Sequence, residues 1–115
     1  MIRRLLLAAA VATCATTALT AAAHAQCDTR FDLINRSGAQ VDEFYFGSSA
    51  NQNWGPDRLG DGVLANGQTR RFQPRATGMV DFKVVWQNGE TAEVRQVDIC
   101  TATEIVATKS GITAR

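Results

Sequence analysis

Histidine is almost missing from this chain of 115 residues. The single histidine, His24, lies in an N-terminal segment that has the pattern of a cleaved export signal. The chain that remains after cleavage has no imidazole to serve as a general base or as a metal ligand. A Ser/His/Asp triad, a Cys/His pair and a His-based metal site are therefore excluded for the mature protein.

Cysteine is also scarce, and its placement indicates a structural role. Of the three cysteines, Cys14 lies in the export signal, and Cys27 and Cys100 lie near the two ends of the remaining chain. A redox pair usually has the close C-x-x-C spacing, which is absent here. An even pair in an oxidising compartment predicts a disulfide between Cys27 and Cys100, and no thiol nucleophile then remains.

Neither sign of charge dominates the composition. Loss of Arg3 and Arg4 with the signal leaves 10 basic and 11 acidic residues, a net charge of −1. No overall field therefore favours nucleic acid or an anionic membrane as a partner. A Gly-rich phosphate loop of the Walker or dinucleotide type is absent as well. We predict that the protein uses no cofactor and no metal.

The first 25 residues have the order of regions found in a signal peptide. Arg3 and Arg4 form a positive start, residues 5–12 are apolar, and an A-x-A site ends at Ala25. A membrane anchor would need about 20 strongly apolar residues, and here Thr and Ala dilute the second half. We predict cleavage before Gln26 and a periplasmic or secreted product without a membrane anchor. The paired arginines leave twin-arginine export open beside the general secretory route.

The rest of the chain is a series of short β patterns separated by turn residues. Aromatic and β-branched residues outnumber good helix formers there, and no stretch has an amphipathic helix period. This pattern predicts an all-β fold, a small antiparallel two-sheet sandwich (immunoglobulin-like or related), with a small β-barrel as the alternative. We expect one β domain over residues 26–108 and a flexible tail over 109–115. The strands are predicted at residues 30–35, 40–46, 68–73, 80–87, 90–100 and 103–108.

Two local signals predict details of strand pairing. The dipeptide Asn88-Gly89 lies between two strand patterns and predicts a two-residue type I′ hairpin. That turn places Gln87 opposite Glu90. Farther along, the apolar positions change parity, which predicts a β-bulge near Arg95 and Gln96.

The segment 47–64 is the least regular part of the chain, and it carries Trp54. Pro56, Leu59 and Leu64 indicate a packed loop, so we predict that Trp54 plugs one end of the sandwich. The alternative is that Trp54 presents an exposed face to a sugar or to a protein partner. Trp86, by contrast, alternates with apolar residues of the fourth strand and is predicted to lie in the core.

A small group of residues in and after this loop are the candidate contact residues. Arg70, Arg71 and Arg75 form a basic group that suits an anion or an acidic partner, although an ordinary solvated strand face is the preferred interpretation. The candidate contact residues are Trp54, Asp57, Arg58, Arg70 and Arg71.

Carboxylates are the remaining candidates for catalysis or metal binding. Asp57 and Asp61 share a loop, but paired-carboxylate hydrolysis needs a deep cleft that a small sandwich seldom offers. We expect instead that Asp57 caps a turn through local amide hydrogen bonds. With Asn51 and Asn53 the two aspartates also offer oxygen ligands for calcium, but their spacing does not match a calcium-binding loop.

Several motifs resemble a family of small exported bacterial β proteins of unassigned function. The most specific part is the W-G-x-D-x-L-G run that begins at Trp54, and the likeness covers most of the chain after the signal. Relatives often carry a Cys shortly before the position of Asp81, where this chain has Met79 and Val80, so the family's disulfide partners stay open here. The resemblance implies an exported β domain and no particular activity. The other matching residues are Asn35, Gly38, Tyr45, Leu64, Gly67, Asp81, Asn88, Gly89, Glu90 and Cys100.

These observations predict an exported, non-enzymatic β-sandwich that acts by surface contact through the 47–64 loop. The expected kind of partner is an extracytoplasmic protein. The first alternative is a small inhibitor of an extracytoplasmic hydrolase, because export, small size, a disulfide and a long loop all suit an inhibitor. A calcium- or carbohydrate-binding module is the second alternative, and an enzyme acting through carboxylates is the least favoured.

Overall fold

A computed structural model describes residues 27–75 and 77–115 of the protein, and the predicted export signal lies outside them. The described chain forms seven strands in two sheets and contains no helix. None of these residues therefore forms a helix that could cross a membrane. The strands are β1 (Phe31–Asn35), β2 (Val41–Ser48), β3 (Thr69–Phe72), β4 (Met79–Trp86), β5 (Thr91–Asp98), β6 (Glu104–Thr108) and β7 (Gly111–Ala114).

The two sheets confirm the predicted all-β, two-sheet sandwich. One sheet has the strand order β3-β1-β6-β7, and the other has the order β2-β4-β5. All neighbouring strands are antiparallel except β1 and β6, which run parallel with Leu33 beside Ile105. Cys27 lies shortly before β1 and Cys100 shortly before β6, and their Cα atoms are 5.4 Å apart in a disulfide. The predicted disulfide is thus confirmed, and it joins the beginnings of the two parallel strands.

Phenylalanine rings join the two sheets. Period-two alternation places Phe31 and Phe72 on the inner face of one sheet and Phe44, Phe46 and Phe82 on the inner face of the other. Phe31 contacts all four of the other rings, with centroids 5.2–6.1 Å apart. These are all five phenylalanines of the chain, so one aromatic cluster forms the centre of the core.

Trp86, the last residue of β4, lies in the core as predicted. Its indole Nε1 donates a hydrogen bond of 2.9 Å to the Ser37 hydroxyl. Ser37 in turn donates to the Asn35 side-chain oxygen at 2.7 Å, and both residues are buried. Asn35 also donates to the carbonyl of Leu64 at 3.0 Å. Since buried polar groups are costly without partners, this network fixes the turn after β1.

The hairpin between β4 and β5 differs from the predicted two-residue turn. Trp86, rather than Gln87, lies opposite Glu90, because the Trp86 amide donates to the Glu90 carbonyl at 2.8 Å. Gly89 has a positive φ of 89° while Asn88 does not. A type I′ turn needs positive φ at both central residues, so the loop is a three-residue one that ends in a left-handed glycine.

Strand β5 contains the predicted bulge. Val80 lies opposite Val97 and Phe82 opposite Val94, so β5 has one residue more than β4 over this interval. Gln96 adopts a positive φ of 57°, which accommodates the extra residue of β5.

The prediction of a flexible tail over residues 109–115 is wrong. Strand β7 pairs with β6, with Ile112 opposite Ala107. The segment is mostly polar, but Ile112 is buried in the core, and the Arg115 amide donates to the Glu104 carbonyl at 2.9 Å. One buried side chain and a complete ladder are sufficient to order a four-residue strand.

Candidate functional site

Trp54 lies on the outer face of the β2-β4-β5 sheet, so the predicted plug at the end of the sandwich is wrong. Its side chain is half-buried and takes no part in the core cluster. The Arg95 guanidinium carbon is 5.2 Å from the Trp54 ring centre, and the Lys83 Nζ is 5.9 Å from it. The loop crosses β2 beside Gly47. The Asn53 carbonyl oxygen lies 3.7 Å from the position that a Cβ atom would take at Gly47.

A second ring extends this arrangement across the sheet. Tyr45 pairs with Lys83, and Lys83 Nζ lies 5.8 Å from the Tyr45 ring. The Tyr45 hydroxyl donates to the Glu43 carboxylate, a hydrogen bond that, with burial, raises the pKa of Tyr45 to about 12. Ring and cation therefore alternate in the order Tyr45, Lys83, Trp54, Arg95, as cation–π attraction favours. We call these four side chains, with loop residues 50–56, the Trp54 surface.

Asp81 fixes Arg95 in this position from beneath. Its buried carboxylate accepts hydrogen bonds from the Ser49 hydroxyl at 2.6 Å, the Gln96 amide at 2.8 Å and the Arg95 guanidinium at 2.9 Å. Burial alone would raise the pKa of Asp81. The hydrogen bonds from Ser49 and Gln96 and the charge of Arg95 outweigh burial, and the pKa lies below its usual value. The loop, the bulge and the cation are thus joined at one carboxylate.

Replacement of Asp81 should therefore have a pH-dependent effect on stability. The folded-state pKa is depressed, so the ionised carboxylate stabilises the fold above the ordinary value of 3.8, and this contribution is lost as pH falls through the folded value. We expect Asp81→Asn to lower the free energy of unfolding by about 2 kcal/mol at neutral pH, the scale of hydrogen bonds to a charged group. Urea unfolding from neutral to acidic pH measures the difference.

The matched control is Asp61→Asn, since Asp61 is exposed. This variant should stay within about 0.5 kcal/mol of the wild type throughout the range. A difference between wild type and Asp81→Asn that does not shrink below the ordinary aspartate pKa would contradict the assigned charge state.

Asp57 caps its own turn, as predicted, and it also binds the free edge of β2. Its Oδ1 accepts from the Leu59 amide within its own turn and from the Phe44 amide of β2, both at 2.9 Å. Val41 and Leu64 exchange backbone hydrogen bonds of 2.9 Å farther along the same edge. An unpaired edge strand invites association with other chains. Residues 57–64 lie along this edge of β2 and cover it, and we call them the covering segment. Leu59 and Leu64 are buried beneath the segment, whereas the neighbouring Val63 is exposed.

Arg58 lies beside Asp57 and is held by two carbonyls of β2. Its amide donates to the Phe44 carbonyl at 2.6 Å, and its Nη2 donates to the Phe46 carbonyl at 3.0 Å. The guanidinium carbon lies 4.3 Å from the centre of the Phe46 ring. Arg58 is therefore a half-buried, anchored cation rather than a freely exposed one.

Arg70, Arg71 and Arg75 do not form the single basic group that their spacing in the sequence predicts. Arg71 lies on the outer face of its sheet and forms an ion pair of 2.9 Å with Asp32. Arg70 points to the opposite face, with its guanidinium carbon 5.5 Å from the centre of the Phe72 ring. Arg75 follows β3 and lines a cleft next to Pro74. Alternation along β3 separates Arg70 from Arg71, so the prediction of one group is wrong.

The sequence reasoning gave no site role to three residues of the Trp54 surface and its support: Lys83, Arg95 and Asp81. Lys83 and Arg95 belong to different strands, and only the register of β4 with β5 brings them beneath one ring. The parity change at Arg95 was a signal of the bulge, but it did not indicate that the bulge amide binds Asp81.

Two of the four oxygen groups considered for calcium, those of Asn51 and Asp57, have other partners. The Asn51 side-chain oxygen accepts from the Asn53 amide at 3.0 Å, and Asp57 is bound by two amides. Among the residues that the structure describes, no three His, Cys, Asp or Glu side chains are grouped as a metal site. In the comparisons with known proteins, no family model, no curated protein and no solved structure matches this chain.

Proposed function

We propose that this protein is an exported, non-enzymatic protein that binds another extracytoplasmic protein through the Trp54 surface. The observation that carries the proposal is the position of Trp54, half-exposed outside the core and lying over Lys83 and Arg95. Trp and Arg contribute most of the binding energy at many protein interfaces. A tryptophan that the core does not use, placed against an arginine, is suited to such a contact.

The geometry supports a surface that is ordered before it binds. Arg95 is held by Asp81 at 2.9 Å and by Glu93 at 2.5 Å. Ordering side chains on binding costs about 0.5–1.5 kcal/mol for each flexible side chain, and this cost is lower where they are already fixed. Residues 50–53 beside Trp54 are exposed, and three of them have amide side chains that suit a polar rim.

The contact role belongs to the first part of the loop rather than to the whole of 47–64. Asp57, Arg58 and Leu59 are engaged by the β2 edge and the core. Residues 50–56 have only Trp54 folded against the sheet, and their other side chains are exposed. The two parts of the loop thus have separate tasks, edge protection and contact.

Export to the periplasm or to the medium is the second part of the proposal. The Cys27–Cys100 disulfide supports an oxidising compartment. The signal-peptide pattern over residues 1–25 and the resemblance to exported β proteins support the same assignment.

Site-specific photocross-linking in the exporting cell tests the proposed contact. A photoreactive residue is placed at Gln52, which is exposed beside Trp54, and in a second strain at Thr113, which is exposed on β7 in the other sheet. We expect one discrete cross-linked protein from position 52 and none from position 113. The cross-link should disappear when Trp54→Ala is added, because loss of a central interface Trp costs about 2 kcal/mol or more.

Thermal unfolding of Trp54→Ala shows whether that loss reflects contact or folding. Because Trp54 is half-exposed and lies outside the core, we expect a stability loss of about 1 kcal/mol, well below the 3–5 kcal/mol of a buried Trp. A loss of about 3 kcal/mol, equal cross-linking from both positions, or a cross-link that survives Trp54→Ala would contradict the proposal.

A further inference from the structure

A cleft with two arginines opens between the edges of the two sheets, close to the aromatic core. It has a volume of about 440 Å³, within the range of small-molecule sites. The end of β2 supplies Phe46, the covering segment supplies Arg58, and the chain after β3 supplies Arg75. We call it the Arg58 cleft. Its lining residues are Phe46, Gly47, Arg58, Phe72, Gln73, Pro74, Arg75 and Val80.

The charges of the cleft are unbalanced. No Asp or Glu lines it, and neither Arg58 nor Arg75 has a salt-bridge partner among the described residues. Elsewhere on the described surface, four other arginines do have carboxylate partners. Two neighbouring cations with no acid at the same site create a local positive field that favours an anion.

Arg58 is positioned as a receptor for that anion. Its Nη2 is held by the Phe46 carbonyl at 3.0 Å, and its guanidinium carbon lies 4.3 Å from the centre of the Phe46 ring. Its Nε is buried without any acceptor in the described structure, and the Nη1 group donates to none of these residues. A guanidinium that is half-buried and incompletely hydrogen-bonded gains more from an anion than a fully solvated one does.

Apart from Gly47 and the polar Gln73, the remaining walls are apolar. The rings of Phe46 and Phe72, with Pro74 and Val80, face the same space as the two arginines. Such walls favour a ligand that has an apolar body beside its charge, because burial of apolar surface stabilises binding.

We propose that the Arg58 cleft binds small organic acids, with the carboxylate at Arg58 and Arg75 and an aromatic or branched apolar body against Phe46 and Phe72. Carboxylate oxygens match the planar donors of a guanidinium. This site is separate from the proposed protein contact at Trp54, and either assignment can fail without the other.

Titration of ¹⁵N-labelled protein with phenylacetate, followed by amide NMR shifts, tests the assignment. We expect saturable shifts at Phe46, Phe72 and Arg75, with binding at least about tenfold weaker for the neutral isostere phenylacetamide, a difference of about 1.4 kcal/mol. Arg75→Gln should weaken phenylacetate binding by about tenfold, because it removes one charged donor. Arg75 is exposed and has no hydrogen-bond partner among the described residues, so this variant should fold normally.

The matched control is Arg36→Gln, which removes an exposed arginine outside the cleft and should leave binding unchanged. Arg58→Gln should abolish binding, and its melting temperature is measured beside it because Arg58 also holds β2. Equal binding of acid and amide, no saturation by about 10 mM acid, or an undiminished affinity in Arg75→Gln would overturn the proposal. Preferential binding of phenyl phosphate would overturn the carboxylate assignment, and shifts confined to Lys83 and Arg95 would overturn the location.

Discussion

Removal of the Cys27–Cys100 disulfide is expected to lower the free energy of unfolding by about 4 kcal/mol. The two cysteines are 73 residues apart in the sequence, and the chain-entropy model assigns roughly this value to a loop of that length. The covalent link restricts the unfolded chain more than the folded one, so its loss stabilises the unfolded state. Small domains have total stabilities of about 5–15 kcal/mol, so the loss is a large part of the whole.

The double variant Cys27→Ala/Cys100→Ala measures the effect by equilibrium urea unfolding. Cys100 is exposed and Cys27 is half-buried, so the substitutions remove little core packing. Wild-type protein unfolded in a reducing agent is the control and should give nearly the same free energy as the double variant. If the double variant and the reduced wild type each lose less than about 1 kcal/mol of unfolding free energy, the disulfide does not stabilise the fold by restricting the unfolded chain.

The fold class could be predicted because alternation is a local property. Val80, Phe82, Val84 and Trp86 occupy alternate positions of β4, and the structure buries all four. The bulge at Gln96 could be predicted for the same reason, since a change of parity is visible within one strand.

Strand partners and turn registers could be predicted only in part. The parallel pairing of β1 with β6 depends on which strands meet in the folded chain, and no local pattern in either strand encodes it. The hairpin at Asn88-Gly89 is present, but this dipeptide also suits a three-residue loop. The three-residue loop places Ala92 and Val94, rather than Glu93 and Arg95, against the core, and this packing decides the register. Strand β7 was missed because a single buried residue, Ile112, is too weak a pattern.

The Trp54 surface, like the strand pairing, could be predicted from the sequence only in part. The sequence indicated that Trp54 was unusual within a polar loop, but it could not indicate which surface the loop covers. That surface depends on Lys83 and Arg95, which lie on neighbouring strands and meet only through the β4–β5 register. Asp57 was predicted correctly because its main role, a hydrogen bond to an amide two residues away, is local.

Replacement of Phe31 by alanine is expected to cost about 3–5 kcal/mol, as for other fully buried aromatic residues. Phe31 is buried and lies within 6.1 Å of four other rings, which come from both sheets. Its removal leaves a cavity at the point where the two sheets meet. For a domain of this size each 1 kcal/mol lowers the melting temperature by roughly 4–8 °C, so the melting temperature should fall by about 12 °C or more.

Two comparisons make this result specific to the aromatic cluster. Val63→Ala removes apolar surface from an exposed side chain and should change stability by less than about 0.5 kcal/mol. Phe72→Ala should lie between the two, because its ring packs on Phe31 but is only partly buried. Phe72 also lines the Arg58 cleft, so this variant should weaken phenylacetate binding more than its modest loss of stability explains. A loss below about 1 kcal/mol for Phe31→Ala would mean that the two sheets are held together by contacts other than these rings.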